Sequence, residues 1–278
     1  MMKKTREIDI GGVKIGGDNP IAIQGMCTTK THDVEATVGQ ILALEREGCD
    51  IVRVAVPDKR AVDAIPKIKE RIHIPLVADI HFSHRLAIMA IEKGADKIRI
   101  NPGNIGGEEK VSELLAMARV PISIGINAGS MESDILEKYG HPTAEAMVES
   151  ALRWVEFFEK HHFYQIVLSL KSADVRTSIA AHEMISERTD YPLHIGVTES
   201  GTFLTGTIKS SICVASLLQK KIGNTFRISM TEDPITQIKV AKEILRTLGL
   251  RLNGVEVISC PICGRRRDYG GNAYWNRA

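Results

Sequence analysis

The chain has almost no net charge: 36 Lys and Arg against 34 Asp and Glu leave +2 over 278 residues. That balance supplies no bulk field for nucleic acid or an anionic membrane surface, so neither is expected as a partner. Long apolar runs are missing too; no stretch reaches the roughly 18 residues of a membrane helix. The opening "MMKKTREIDIGG" has basic residues but not the apolar stretch of a secretory signal. Cysteine is scarce. Five in this length make no disulfide scaffold, and Cys27, Cys49 and Cys213 stand singly among small or apolar neighbours. These absences together predict a cytoplasmic protein.

What is present is ordinary globular composition, 44% apolar and 25% charged. The length suits one large α/β barrel or two modest domains. One pattern repeats along it: a β-rich run, a turn, then a segment with helical spacing. The runs are "PIAIQGM", "DIVRVAVP", "PLVADIHF", "DKIRINPGN", "PISIGIN", "YQIVLSLKS", "PLHIGVTES" and "TFRISMTED". Several are nearly continuous in Ile and Val, as in parallel strands buried on both faces.

The segments between them predict helices. In "DVEATVGQILALEREG", Val34, Val38, Ile41, Leu42 and Leu44 recur at helical spacing, with Asp33 as N-cap and Gly48 as the stop. "TAEAMVESALRWVEFFEKH" gathers Met147, Ala151, Leu152, Val155 and Phe158 on one side. The longest gap between strands holds an extra helical piece, "SMESDILEKYG".

Eight β-α units predict a (β/α)8 TIM barrel. The rival is an open doubly wound sheet, which usually carries a glycine-rich phosphate loop after its first strand. Here that strand ends in "QGMCTTKTHD", without G-x-G-x-x-G, and the barrel is preferred. Residues 1–252 are read as the barrel. At 253–278 a second domain begins, with a turn at Asn253-Gly254 and a further strand from Val255 to Ser259. There Cys260 and Cys263 form a Cys-x-x-Cys pair, half of a metal site by its spacing.

In a barrel enzyme the chemistry gathers at the C-terminal strand ends. These carry Gln24, Arg53, Asp79 with His81, Arg99 with Asn101 and Asn104, and Asn127. The later ones carry Ser169 with Lys171, His194 with Thr198 and Glu199, and Ser229 with Thr231, Glu232 and Asp233. Charges at any single strand end can simply meet solvent. Arg53 and Arg99 are different, because they lie inside apolar runs where period 2 aims them inward. An inward Arg is unfavourable unless it meets an anion. With Lys171, and with Lys209 at the start of the helix that follows the seventh strand, they describe a pocket for a small, multiply charged anion such as a diphosphate ester. Asp79 with His81, and His194 with Glu199, are candidates for positioning hydroxyls and moving protons. A zinc site is the lesser reading, since His81 and His194 lack H-x-x-x-H spacing.

The motifs "KTREIDIGGVKIGGDNPIAIQGM", "TKTHDVEAT", "CDIVRVAVP", "ADIHF", "IRINPGNIG", "PLHIGVTESG", "GTIKSS", "RISMTEDP" and "CPICGR" occur in that order. Together they resemble the 4-hydroxy-3-methylbut-2-enyl diphosphate synthase family over roughly residues 3 to 265. The resemblance implies a barrel followed by an iron–sulfur domain, with a [4Fe–4S] cluster held by three cysteines and a glutamate. It implies reductive ring opening and dehydroxylation of 2-C-methyl-D-erythritol 2,4-cyclodiphosphate to (E)-4-hydroxy-3-methylbut-2-enyl diphosphate. Electrons would come from flavodoxin or ferredoxin, and the protein would be a homodimer. Carried onto this chain, Glu199, Asp79, His81 and His194 become catalytic. Arg53, Arg99, Asn101, Asn104, Asn127, Lys171, Lys209 and Ser229 bind substrate, and Cys260 and Cys263 hold the cluster.

Three departures stand out. "PISIGIN" has Ser123 where the family has arginine, removing a contact worth roughly 1.5–3 kcal/mol. "QGMCTT" replaces Gln-Ser-Met-Thr. After "CPICGR" the chain runs into "RRDYGGNAYWNRA", and the third cysteine and the glutamate are not found. The C-terminal domain is therefore read as truncated, by a shifted frame or naturally. Beside the enzyme stand two further readings: a truncated, inactive barrel that only binds the diphosphate, and an unrelated phosphate-binding barrel of pterin or aldolase type with a zinc-bound tail.

Overall fold

The computed structural model describes residues 4–127, 129 and 131–251. It opens with an antiparallel hairpin that the periodicity did not mark, β1 (Ile8–Ile10) and β2 (Val13–Ile15). Each of the eight expected barrel strands then forms inside its run: β3 (Ala22–Met26), β4 (Ile51–Ala55), β5 (Leu76–Ile80) and β6 (Lys97–Ile100), followed by β7 (Ile122–Asn127), β8 (Ile166–Lys171), β9 (His194–Ile195) and β10 (Thr225–Phe226). The first helices are α1 (Val34–Glu47), α2 (Lys59–Lys69), α3 (His84–Glu92), α4 (Pro102–Ile105) and α5 (Glu108–Met117). After them come α6 (Ser133–Tyr139), α7 (Ala144–Lys160), α8 (Val175–Arg188), α9 (Phe203–Gln219) and α10 (Pro234–Thr247).

The eight strands pair in parallel in the order β8-β7-β6-β5-β4-β3-β10-β9. A bridge between Leu168 and Leu193 joins the two ends, and Leu168 N–H donates to the Pro192 carbonyl at 2.9 Å. The sheet is thus a closed (β/α)8 barrel. Every residue of β5 and β8 is buried, which accounts for the predominance of apolar residues in both, with Asp79, Ser169 and Lys171 as the polar members.

Local chemistry sets the helix ends. Asp33 accepts from Ala36 N–H and Gly48 closes α1 in the left-handed region, both where the sequence placed them. Asp58, Ser83, Thr143 and Asp174 cap α2, α3, α7 and α8 in the same way. The extra piece before α7 is α6, and Met147, Ala151, Val155 and Phe158 of α7 are buried against the barrel.

At the N-terminal end of the barrel the hairpin acts as a plug. Ile8, Ile10 and Ile15 pack on Ala22, Ile51, Val77 and Val167, which lie in the first two residues of their strands. The lumen is therefore apolar at the bottom and can open only toward the C-terminal strand ends. The anticipated strand at Val255–Ser259, with the whole of 253–278, lies outside the described residues.

Candidate active site at the barrel mouth

Alternation along the strands decides what the lumen holds. Lys97 and Arg99 share the inner face of β6, Ser169 and Lys171 that of β8, and Val77 and Asp79 that of β5. With Arg53 from β4, His194 from β9 and Arg227 just after β10, these side chains surround a cavity of about 250 Å³. Five of its lining residues are Lys or Arg and one, Asp79, is a carboxylate.

Asp79 is 2% exposed and already engaged on both oxygens. Arg99 Nη1 donates to Oδ1 at 3.2 Å, Arg53 Nε lies 3.5 Å from Oδ2, and His81 Nε2 stands 4.0 Å from Oδ2. Burial alone would raise this carboxyl, but Arg53 and Arg99 outweigh it and hold it below the usual carboxylate value. Asp79 thus fixes the two guanidinium forks. Glycine makes room for one of them: a Cβ on Gly125 of β7 would sit 2.7 Å from Arg99 Nε and Nη2.

Among the described residues the remaining cations have no such carboxylate partner. Arg227 Nη2 donates to Ser229 Oγ at 2.7 Å, while its Nε is buried without a hydrogen bond. Burial, with Arg53 adding, pushes Arg227 down to about 9. Lys171 is lowered well below its ordinary value, by burial first and then by Arg227, Arg53 and Arg99. Gly196, at φ +132°, lets the chain pass close by; its Cβ would meet the Arg227 carbonyl at 2.8 Å and Lys171 Nζ at 3.6 Å. His194 is kept neutral by burial and by Lys171, Lys97, Arg53 and Arg227. Its Nδ1 is hydrogen-bonded to Thr225 Oγ1, its neighbour in register on β10, and its Nε2 is buried without a partner. Mutually repelling buried cations are unfavourable without a counter-charge, and an anion in the cavity would supply it.

Of the residues expected from sequence, Arg53, Asp79, His81, Arg99, Asn127, Lys171 and His194 line this cavity, and Ser229 reaches it through Arg227. The others stand elsewhere. Asn101 is buried as the N-cap of α4, accepting from Gly103 N–H at 3.1 Å, and Asn104 is exposed within that helix. Glu199 is exposed on the loop after β9, with φ +51°. Lys209 was placed at a helix start, but α9 begins at Phe203, so Lys209 falls in its second turn and does not line the cavity. Cys260 and Cys263 lie outside the described residues. Sequence reasoning missed Lys97 and Arg227. Both carried a signal: Lys97 sits two residues before Arg99, and "FRISM" repeats the inward arginine of "VRVAV" and "IRINP".

The described residues do not fit an iron–sulfur cluster. Among them no three His, Cys, Asp or Glu converge on a metal position. Cys27, Cys49 and Cys213 are all buried, and burial pushes each thiol up to about 12, so none offers a ready thiolate.

Residues 5–242 match the GcpE TIM-barrel domain. The chain is 58% identical over 265 residues to the 4-hydroxy-3-methylbut-2-en-1-yl diphosphate synthase (flavodoxin) of Geobacillus thermodenitrificans, covering 94% of this chain and 71% of that protein. It is likewise 58% identical over 270 residues to the protein of that name from Caldanaerobacter subterraneus subsp. tengcongensis, covering 96% and 76%. Among solved structures it is similar to dihydropteroate synthase from Stenotrophomonas maltophilia, at a TM-score of 0.63 and 15% identity over 86% of this chain and 98% of that one. That likeness is one of fold and carries no pterin chemistry with it. On the domain match and the identity to its curated relatives, the chain belongs to the GcpE family of 4-hydroxy-3-methylbut-2-en-1-yl diphosphate synthases.

Proposed function

We propose that the barrel mouth binds 2-C-methyl-D-erythritol 2,4-cyclodiphosphate and serves its reductive conversion to (E)-4-hydroxy-3-methylbut-2-enyl diphosphate. The observation that carries this reading is the excess of cations over carboxylates lining one closed-bottomed cavity, five against one. A diphosphate matches it in charge and in acceptor count. Arg53 and Arg99, held in place by Asp79, present ordered donors to one side of the ligand. Arg227 and Lys171 meet it from the other, and Ser229 steadies the Arg227 fork. With Nδ1 taken by Thr225, His194 turns Nε2 to the ligand as a neutral group.

Proton handling belongs to the rim. His81 is half exposed beside Asp79, and Glu199 stands on the loop above, so both act on the outward end of the substrate. Residues 1–252 are thus the substrate-binding domain and 253–278 the beginning of the cluster domain. Cys260 and Cys263 are this chain's candidate ligands for the [4Fe–4S] cluster, and no step through that cluster follows from the described residues. The names of the curated relatives support flavodoxin as the electron donor. A homodimer in the cytoplasm completes the reading.

The test is equilibrium binding of the cyclic diphosphate to the full chain, with Arg227→Met and Lys171→Met beside it. Each variant should weaken binding by about tenfold or more, the loss of one charge-assisted hydrogen bond. Affinity should also fall as salt rises. A wild-type chain that binds neither the cyclic diphosphate nor inorganic pyrophosphate would refute the reading. Binding without turnover, in chain reconstituted anaerobically with iron and sulfide and supplied with reductant, would favour the barrel as a binding module instead.

A further inference from the structure

Lys97 opens β6 two residues before Arg99 and faces the same lumen. It is 1% exposed and ranks among the largest fully buried side chains. Its Nζ crosses the lumen to β3, where it donates to the neutral Gln24 Oε1 at 3.2 Å. Among the described residues no carboxylate lies within ion-pair distance of it, because Asp79 is held by Arg53 and Arg99. An ammonium has three donors, and here one acceptor meets it. Directly below lies the apolar plug, with Val77 and Ile51. Lys97 therefore marks the level where packed core gives way to polar well. Ser123 on the neighbouring β7 lines the same cavity, and its small side chain leaves the space above the ammonium open.

An unpaired buried ammonium has no structural rationale at this position. A methionine of similar reach would fill the space without desolvating a charge. We propose that Lys97 is a direct ligand of the bound anion, the floor contact on which its inner phosphoryl group rests beneath Arg53 and Arg99. The inference rests on the anion-binding reading of the cavity and deepens it. Burial, with Arg53 adding, pushes Lys97 down to about 7, so near neutral pH the free protein does not hold it fully protonated. A dianion arriving above it restores the charge, and binding draws in a proton. Besides Lys97, the charged and titratable groups facing the same space are Arg53, Asp79, His81, Arg99, Lys171, His194 and Arg227. Lys171 is also lowered and contributes to uptake, so the difference between wild type and variant isolates the share of Lys97.

The experiment is calorimetric titration of the full chain with inorganic pyrophosphate at pH 7, in two buffers of different ionisation enthalpy, for wild type, Lys97→Met and Lys97→Arg. Lys97→Met should bind about tenfold to a hundredfold more weakly and take up fewer protons. Without ligand it should melt no lower than wild type, because no charge remains to be buried. Lys97→Arg should keep most of the affinity. Unchanged affinity and proton uptake in Lys97→Met overturns the proposal. So does a ligand-free Lys97→Met that melts well below wild type while Lys97→Arg loses binding equally, since that pattern assigns Lys97 to the fold. Wild type that fails to bind pyrophosphate, or the cyclic diphosphate, removes the anion reading itself and this inference with it.

Discussion

Replacing Asp79 by Asn tests the charge logic of the mouth directly. The change is isosteric, so packing within the lumen is conserved and only the charge is lost. Arg53 and Arg99 would then face each other inside the barrel with no counter-ion among the cavity's lining residues. Removing one partner of a buried ion pair costs about 3–5 kcal/mol. In a domain of this size each kcal/mol moves the melting point by roughly 2–4 °C, so Asp79→Asn should melt about 6 to 20 °C below wild type. Excess inorganic pyrophosphate, at about a hundred times its dissociation constant, adds about 2.7 kcal/mol to wild type. It should add more to the variant, because the anion replaces the missing carboxylate, and the gap between the two should narrow. Thermal melts followed by circular dichroism, with and without pyrophosphate, read both effects. A variant that melts within about 2 °C of wild type would show that the arginines do not depend on Asp79. A gap that pyrophosphate leaves unchanged would show that no anion binds between them.

Gly125→Ala places a methyl where the Arg99 guanidinium now lies, 2.7 Å from Nε and Nη2. It should weaken pyrophosphate binding by about tenfold and also lower the melting point, because the displaced guanidinium is the one that Asp79 holds; equal binding would refute the close approach. His182 on α8 is fully buried and donates from Nδ1 to the Ser178 carbonyl, and burial first, then Lys171, pushes it from 6.5 to about 4. The unfolded chain protonates this histidine before the folded one does, so its contribution is complete above about pH 6.5 and is lost as pH falls toward 4. That loss amounts to about 3 kcal/mol. His182→Asn should flatten the decline of the melting point across that window, and a slope equal to wild type would exclude His182 as its source.

How much of this was legible in sequence depends on what each residue reports. Strands such as "PLVADIHF" are written plainly, because burial on both faces demands a run of apolar residues. The hairpin Ile8–Ile15 was not, because only three buried isoleucines mark it and their partners lie far along the chain at the barrel bottom. Arg53 and Arg99 announced themselves as charges within apolar strands. Lys97 and Arg227 followed the same rule but sit at a strand's first residue and just beyond a two-residue strand, where turn and strand look alike. Asp79 was legible as a site residue, yet its task was not: pairing with two arginines is a matter of register between β4, β5 and β6. The helix start expected at Lys209 lies earlier, at Phe203, where the N-cap Thr202 makes no side-chain capping hydrogen bond to mark it.

The plug at the foot of the barrel sets a rule of traffic. Ile8, Ile10 and Ile15 shut the lower opening, so the well is a cul-de-sac with a single doorway. Whatever sinks to the level of Lys97 must leave by the way it came. Any reagent that acts on it has to approach from the same side and stand behind it in the queue. Binding at the floor of the well and access from solvent therefore share one face, that of the C-terminal strand ends.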